Sequence, residues 1–125
     1  MLFRSLSHLR YLVGVALPLV AITPAYALNI ILTNDDSWST HNIQTLKDKL
    51  EAAGHQVVMS APCIQQSGKG GAFSLYRPMP VDESKSEDNE YCVGDSDTTK
   101  SHESFVEGTP VMAAFYGIEI GRAHV

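Results

Sequence analysis

Leu28-Asn29-Ile30-Ile31-Leu32-Thr33-Asn34-Asp35-Asp36 is the stretch that decides the fold class. Its apolar run, Ile30-Ile31-Leu32, stops abruptly at four polar residues. A short apolar run bounded in this way predicts a strand buried on both faces, as in a parallel sheet. Open α/β sheets bind ligands at the carboxyl ends of their strands, and Asp35 and Asp36 stand at that end. Two adjacent carboxylates in a partly desolvated site repel one another unless a cation neutralises them. The pair therefore points to a divalent metal; a plain polar turn is the alternative reading.

On the N-terminal side, Arg4, His8 and Arg10 make a basic start, Tyr11 to Ile22 is an apolar run, and Ala25-Tyr26-Ala27 places small residues around a spacer. Basic, apolar, then A-x-A is the order of a secretory signal peptide. The apolar run falls well short of the roughly 20 residues of a spanning helix. Residues 1–27 are read as a signal peptide cleaved after Ala27, so the expected location is exported, periplasmic or secreted, with no membrane attachment after cleavage.

The 125 residues carry nine Lys and Arg against fourteen Asp and Glu. Without Arg4 and Arg10 the balance is seven against fourteen, a formal charge of −7. That excludes a nucleic-acid duplex as the expected partner, because phosphate backbones need clustered cations. Two cysteines, Cys63 and Cys92, match no common zinc spacing. Export permits a disulfide between them, and two free thiols are equally compatible with the sequence.

On the C-terminal side, Ser37 to Thr40 form a polar loop with helix-capping residues. Ile43, Leu46, Leu50 and Ala53 then recur at helical spacing, with Lys47, Asp48, Lys49 and Glu51 mostly off that face. Ser39 or Thr40 can cap the start, and Gly54 can end the helix. Val57-Val58-Met59 is a second strand, which completes a βαβ unit. Ile64 to Gly71 is a loop rich in glycine, on the same sheet edge as the two aspartates. Its N–H groups can turn inward toward a bound anion.

Phe73, Leu75 and Tyr76 suggest a short strand cut by Pro78 and Pro80. Asp82 to Glu90 reads as a solvated acidic excursion, Tyr91-Cys92-Val93 as a returning strand, and Gly94 to Glu103 as a polar loop containing His102. Thr109 as N-cap with Pro110 at the first helical position starts a helix over Val111 to Tyr116. His41 falls at a helix start near the aspartates, where a solvated side chain is the expected state. No Ser-His-Asp order or H-E-x-x-H pattern is present.

Strand-Thr33-Asn34-Asp35-Asp36, Ala61-Pro62, Gln66-Ser67-Gly68, Ser74-Leu75 and Gly108-Thr109-Pro110 occur in the order found in the SurE family of metal-dependent nucleotidases and phosphatases. The resemblance runs from about Leu28 to Gly117. Ser37-Trp38 and the export signal make it closer to the acid-phosphatase-like branch. It implies an α/β, Rossmann-like three-layer sandwich with a mostly parallel sheet. It implies Mg2+ or Mn2+ held by Asp35, Asp36 and Ser67, with Asp35 orienting or deprotonating the attacking water. Asn34, Gly68, Gly70, Gly71 and Thr109 would lie against the phosphate. The implied substrate is a small phosphomonoester or nucleotide, and the full-length form is expected to be a homo-oligomer.

Ser37 replaces a glycine common in the family, and Cys63 stands where an aspartate is common. The family's further asparagine ligand lies in a Ser-Gly-x-Asn-x-Gly segment that these 125 residues do not contain. Residues 28–118 are expected to be the N-terminal part of the domain, truncated at its C-terminus. Glu119 to Val125 read as a translated sequencing adapter. Two other classes fit parts of the pattern. One is a non-catalytic exported metal- or nucleotide-binding module. The other is a phosphoacceptor receiver domain, which the export signal and the lack of a third-strand aspartate disfavour.

Overall fold

The computed structural model describes residues 26–74 and 76–123. The signal-peptide reading therefore lies almost wholly outside the described residues, as do Leu75, His124 and Val125. Four strands, β1 (Asn29–Leu32), β2 (Gln56–Pro62), β3 (Val81–Lys85) and β4 (Glu90–Val93), join two helices, α1 (His41–Ala52) and α2 (Pro110–Ala123). The sheet order is β1-β2-β4-β3. β1, β2 and β4 are parallel, with Ile31 opposite Val58 and Ala61 opposite Cys92. β3 is the antiparallel edge strand, with Val81 opposite Val93.

Alternation along the strands assigns one helix to each face of the sheet. On one face, Met59 and Ala61 of β2 are fully buried with Ile43 of α1, and Leu32 and Trp38 pack against them. Burying side chains of the size of Met59 or Ile43 contributes roughly 1.5–3 kcal/mol each. On the other face, Ile31 and Ser60 meet α2. A Cβ on Gly117 would fall 2.7 Å from Ile31 Cγ2 and 3.0 Å from the Ser60 Cβ, so the helix rides directly on the sheet. The Ser60 hydroxyl donates to the Ala113 carbonyl at 2.7 Å. The result is the α/β, mostly parallel, three-layer arrangement that the resemblance implies.

α1 is rotated from its expected face. Leu46 is 47% exposed, Ala53 is exposed, and Lys47 is only 5% exposed. The inward row is therefore Ile43, Lys47 and Leu50. Lys47 is tolerated there because its ammonium meets Glu51 at 3.0 Å and Glu90 of β4 at 3.5 Å. Burial alone would lower its pKa, but Glu51 and Glu90 more than offset this and hold it above the usual lysine value. Glu90, itself buried, also lies 3.7 Å from Lys85 and accepts from Gln44 at 3.4 Å. Gly54 ends the helix as expected, at φ +90°. Thr40 occupies the N-cap position without a side-chain capping bond.

Two further expectations are corrected. Val81–Lys85 forms a strand, followed by a 3-10 turn at Ser86–Asp88, where a solvated excursion was expected. It is a sheet edge whose charged side chains face water, so it carries no apolar signal. Conversely, no strand forms at Phe73, Ser74 and Tyr76. Phe73 instead packs edge-on against Phe115 of α2, with ring centroids 5.7 Å apart. α2 extends beyond Tyr116 to Ala123 and so includes five of the residues read as adapter.

Candidate metal and phosphate site

The turn after β1 is held by its own side chains. Asn34 Nδ2 donates to the Ser37 carbonyl at 3.0 Å and to Thr40 Oγ1 at 3.2 Å, while its Oδ1 accepts from the Ser37 N–H at 3.3 Å. Ser37 is buried at φ +113°, a backbone region that favours glycine. Its Oγ donates to the Cys63 carbonyl at 3.0 Å, and the Trp38 N–H donates to the Pro62 carbonyl at 2.9 Å. The turn is thereby pinned to the end of β2. Asp35 and Asp36 remain exposed, and neither forms a salt bridge with a described residue.

The second loop begins at Cys63, which is disulfide-bonded to Cys92 of β4. The structure thus resolves the open question of pairing. Three residues on, the Gln66 N–H donates to the Asp35 carbonyl at 2.7 Å. This bond sets Ser67 beside the aspartate turn, as the parallel sheet requires. Gly68 (φ +85°) and Gly70 (φ +38°) carry the chain through the following turns, and a Cβ on either would meet nothing within 4 Å. Ser67, Gly68, Gly70 and Gly71 are exposed. Lys69 is exposed and pairs with Glu107 at 3.0 Å.

Thr109 is buried at the start of α2. Its hydroxyl accepts from the Met112 N–H at 3.4 Å and donates to the Ala72 carbonyl, so it caps the helix and anchors the end of the glycine loop. Within this structure the Asn34 amide and the Thr109 hydroxyl act as ties of the scaffold. Asp35, Asp36, Ser67 and the glycine N–H groups form the open rim. His41 is exposed, with Nε2 3.3 Å from Thr45 Oγ1.

The donor set is entirely oxygen, which suits Mg2+ or Mn2+ better than zinc. Gln66 Oε1 and Thr33 Oγ1 are buried without hydrogen-bond partners among the described residues. In sequence, Gln66 precedes Ser67 of the rim and Thr33 precedes Asn34, the side chain that ties the aspartate turn. Buried acceptors without partners are rare; one of them belongs to Gln66, whose N–H binds the Asp35 carbonyl, and the Asp35 and Asp36 carboxylates have no salt-bridge partner among the described residues. The residues present therefore fit a hard divalent cation. Among the described residues no cluster of three or more His, Cys, Asp or Glu offers a competing site.

Sequence reasoning missed Asp95. It is buried, accepts from Lys100 and, at 2.8 Å, from the Val106 N–H, and so closes the loop between β4 and α2. The Lys100 ammonium, followed by the Val106 N–H, holds its carboxyl below the usual range. An aspartate in a polar loop carries no local signal of such a long-range partner. Gln66 was quoted only as part of a motif; its burial depends on the fold.

A model of the family described as survival protein SurE matches residues 30–124. This chain belongs to the SurE family. Among curated SurE relatives, an acid phosphatase of Yarrowia lipolytica is 36% identical over 94 residues, covering 72% of this chain and 26% of that protein. A 5'-nucleotidase SurE of Picosynechococcus sp. is 41% identical over 58 residues, covering 46% of this chain and 21% of that protein. The chain thus spans about a quarter of the first relative's length and about a fifth of the second's. The solved SurE protein of Aquifex aeolicus aligns with a TM-score of 0.45 at 26% identity, covering 53% of this chain and 25% of that one.

Proposed function

We propose that this SurE chain carries the aspartate pair and phosphate loop of a metal-dependent phosphomonoester hydrolase, a 5'/3'-nucleotidase acting on nucleoside monophosphates. The observation that carries the reading is the Gln66 N–H to Asp35 carbonyl bond of 2.7 Å, which joins the aspartate turn and the Gln-Ser-Gly loop at one sheet edge. The acid phosphatase and nucleotidase relatives support it.

In this reading Asp35, Asp36 and Ser67 hold Mg2+ or Mn2+. When bound, such an ion neutralises phosphate charge and lowers the pKa of water. Asp35 orients the attacking water and takes its proton. The N–H groups of Gly68, Gly70 and Gly71, on an exposed loop, cradle the phosphate oxygens, because successive backbone N–H groups in turns suit an anion. The acidic surface is compatible with this chemistry because the two rim carboxylates are the groups that need a cation. Export after cleavage at Ala27, and assembly of the full-length form as a homo-oligomer, belong to the same proposal.

The test has two readouts. Mn2+ binding to this chain, followed by the loss of its free-ion electron paramagnetic signal, is expected to weaken at least tenfold in Asp35→Asn. Phosphate release by the full-length enzyme is expected to disappear in the same variant. Full activity of Asp35→Asn would overturn the assignment. Unchanged Mn2+ affinity in both Asp35→Asn and Asp36→Asn would remove the metal from this site.

A further inference from the structure

Asp35 and Asp36 are the middle of a turn whose two ends are joined by one side chain. Asn34 Nδ2 donates to the Ser37 carbonyl at 3.0 Å, and Asn34 Oδ1 accepts from the Ser37 N–H at 3.3 Å. The Asn34 amide thus spans both aspartates and holds Ser37 from two sides. Thr40 closes the arrangement. Its Oγ1 accepts from the same Asn34 Nδ2 at 3.2 Å and donates to the same Ser37 carbonyl at 2.9 Å. Its N–H donates to that carbonyl as well, at 3.3 Å. Ser37 is buried, Asn34 and Thr40 are half-buried, and the two aspartates are exposed. The clamp is therefore the shielded part of the turn and the aspartates its open part.

The Thr40 hydroxyl is diverted to this task. Thr40 stands at the N-cap of α1 with an extended backbone, φ −73° and ψ 145°. From that position a threonine oxygen ordinarily accepts from the N–H of the second or third helical residue. Here it makes no such capping bond. The helix start goes without it, and the hydroxyl serves the aspartate turn instead. Its side-chain hydrogen bonds run to Asn34 and Ser37, not to either carboxylate, so it acts through the turn.

We infer that Thr40 is a positioning residue for the cation, and that its hydroxyl, by closing the Asn34–Ser37 clamp, presets the aspartate turn and sets the affinity for the ion. The inference rests on reading Asp35, Asp36 and Ser67 as the cation site. Two carboxylates that converge on one ion repel one another until it arrives. A turn free to open lets them separate in the empty site and has to be reordered on binding. A turn already closed from behind has lost that freedom beforehand, and a rigid oxygen site binds its cation more tightly.

The experiment measures Mn2+ binding to the full chain, through the loss of the free-ion electron paramagnetic signal, for the unaltered protein, Thr40→Val, Thr40→Ser, Asp35→Asn and Asp36→Asn. Thr40→Val keeps the side-chain shape without the hydroxyl and is expected to weaken binding about tenfold, the lower end of the cost of losing an outer partner of a metal ligand. Thr40→Ser keeps the hydroxyl and is expected to retain the unaltered affinity. A role confined to folding would lower the urea midpoint of Thr40→Val and leave its Mn2+ affinity unchanged. That outcome, with Asp35→Asn still weakened, overturns the inference and leaves the cation site standing. Asp35→Asn and Asp36→Asn both binding like the unaltered chain removes the cation site and the inference with it. A measurement free of substitutions uses the amide order parameters of Asp35 and Asp36. They are expected near the rigid value of about 0.85 without a cation and unchanged by Mg2+. Values below about 0.6 that rise only when Mg2+ is added would show a turn ordered by the ion, and the inference would fail.

Discussion

Gly94 and Gly108 cross backbone against backbone. A Cβ on Gly94 would lie 2.2 Å from the Gly108 nitrogen, and a Cβ on Gly108 would lie 1.9 Å from the Val93 carbonyl oxygen. Both obstacles are main chain, so no rotamer change relieves them. The crossing sets where the segment before α2 leaves the sheet, and with it the position of Thr109. Gly108→Ala is therefore expected to destabilise the chain by about 3 kcal/mol, the upper end of overpacking costs. A urea midpoint equal to that of the unaltered chain would contradict this geometry.

Ser37 combines a strained backbone with a useful hydroxyl. Its φ of +113° costs of order 1–3 kcal/mol for a residue with a side chain. Its Oγ bond to the Cys63 carbonyl returns about 1 kcal/mol. Ser37→Ala keeps the strain and loses the bond, so a loss of about 1 kcal/mol is expected. Ser37→Gly loses the bond and the strain together and should be the more stable of the two. Thermal denaturation of both variants decides the matter: neither carries the hydroxyl, so the reverse order would show that the φ of +113° carries no strain that glycine relieves.

The Lys47 pair with Glu90 is buried on both sides. Lys47→Met leaves Glu90 with only the more distant Lys85, and a loss of about 3 kcal/mol is expected from breaking such a pair. Adding Glu90→Gln should recover part of it, because the uncompensated charge is then gone. The pH dependence follows from the raised Lys47 pKa. Its contribution is complete below the ordinary lysine value of 10.5 and is lost as pH rises through the higher folded value. Chemical denaturation of the unaltered chain and of Lys47→Met should therefore differ by a constant amount from neutral pH to about 10, then converge. Convergence at neutral pH would exclude the ion pair as the cause.

The disulfide joins residues 29 apart in sequence. Closing a loop of that size stabilises by about 3 kcal/mol, mainly through the unfolded chain. Reduction with dithiothreitol is expected to lower the melting temperature by that equivalent. It should also raise hydrogen exchange at the Gln66 amide, whose partner is the Asp35 carbonyl. Exchange at Gln66 that ignores reduction would separate the disulfide from the site.

β1, α1, β2, β4 and α2 were legible because each has a local signal: an apolar run, a helical period, or the Thr109-Pro110 start. The proximity of Ser67 to Asp35 was legible from topology, since consecutive parallel strands bring their following loops to one edge. β3 was not, because Val81–Lys85 has one half-buried residue and four exposed ones. The inward turn of Lys47 was hidden because its partner, Glu90, lies in a strand more than forty residues away. The same holds for Asp95 with Val106 and for Gly94 with Gly108, where the determining atom is contributed by another segment.

The pairing pattern of the sheet also orders its assembly. β3 and β4 are neighbours through a single short turn and form a local antiparallel unit, whereas β2 pairs with β4 across the whole 63–89 excursion. Local hairpins close in about 1–10 μs, and long-range parallel pairings come later because loop entropy must be overcome first. The Cys63–Cys92 bond spans that slow step, so it records whether the two halves of the sheet have docked. Refolding from the oxidised unfolded chain should be faster than from the reduced one if docking is part of the barrier, and equal rates would place docking after the rate-limiting event. The rim around Ser67 would then be among the last parts of the molecule to reach its native geometry.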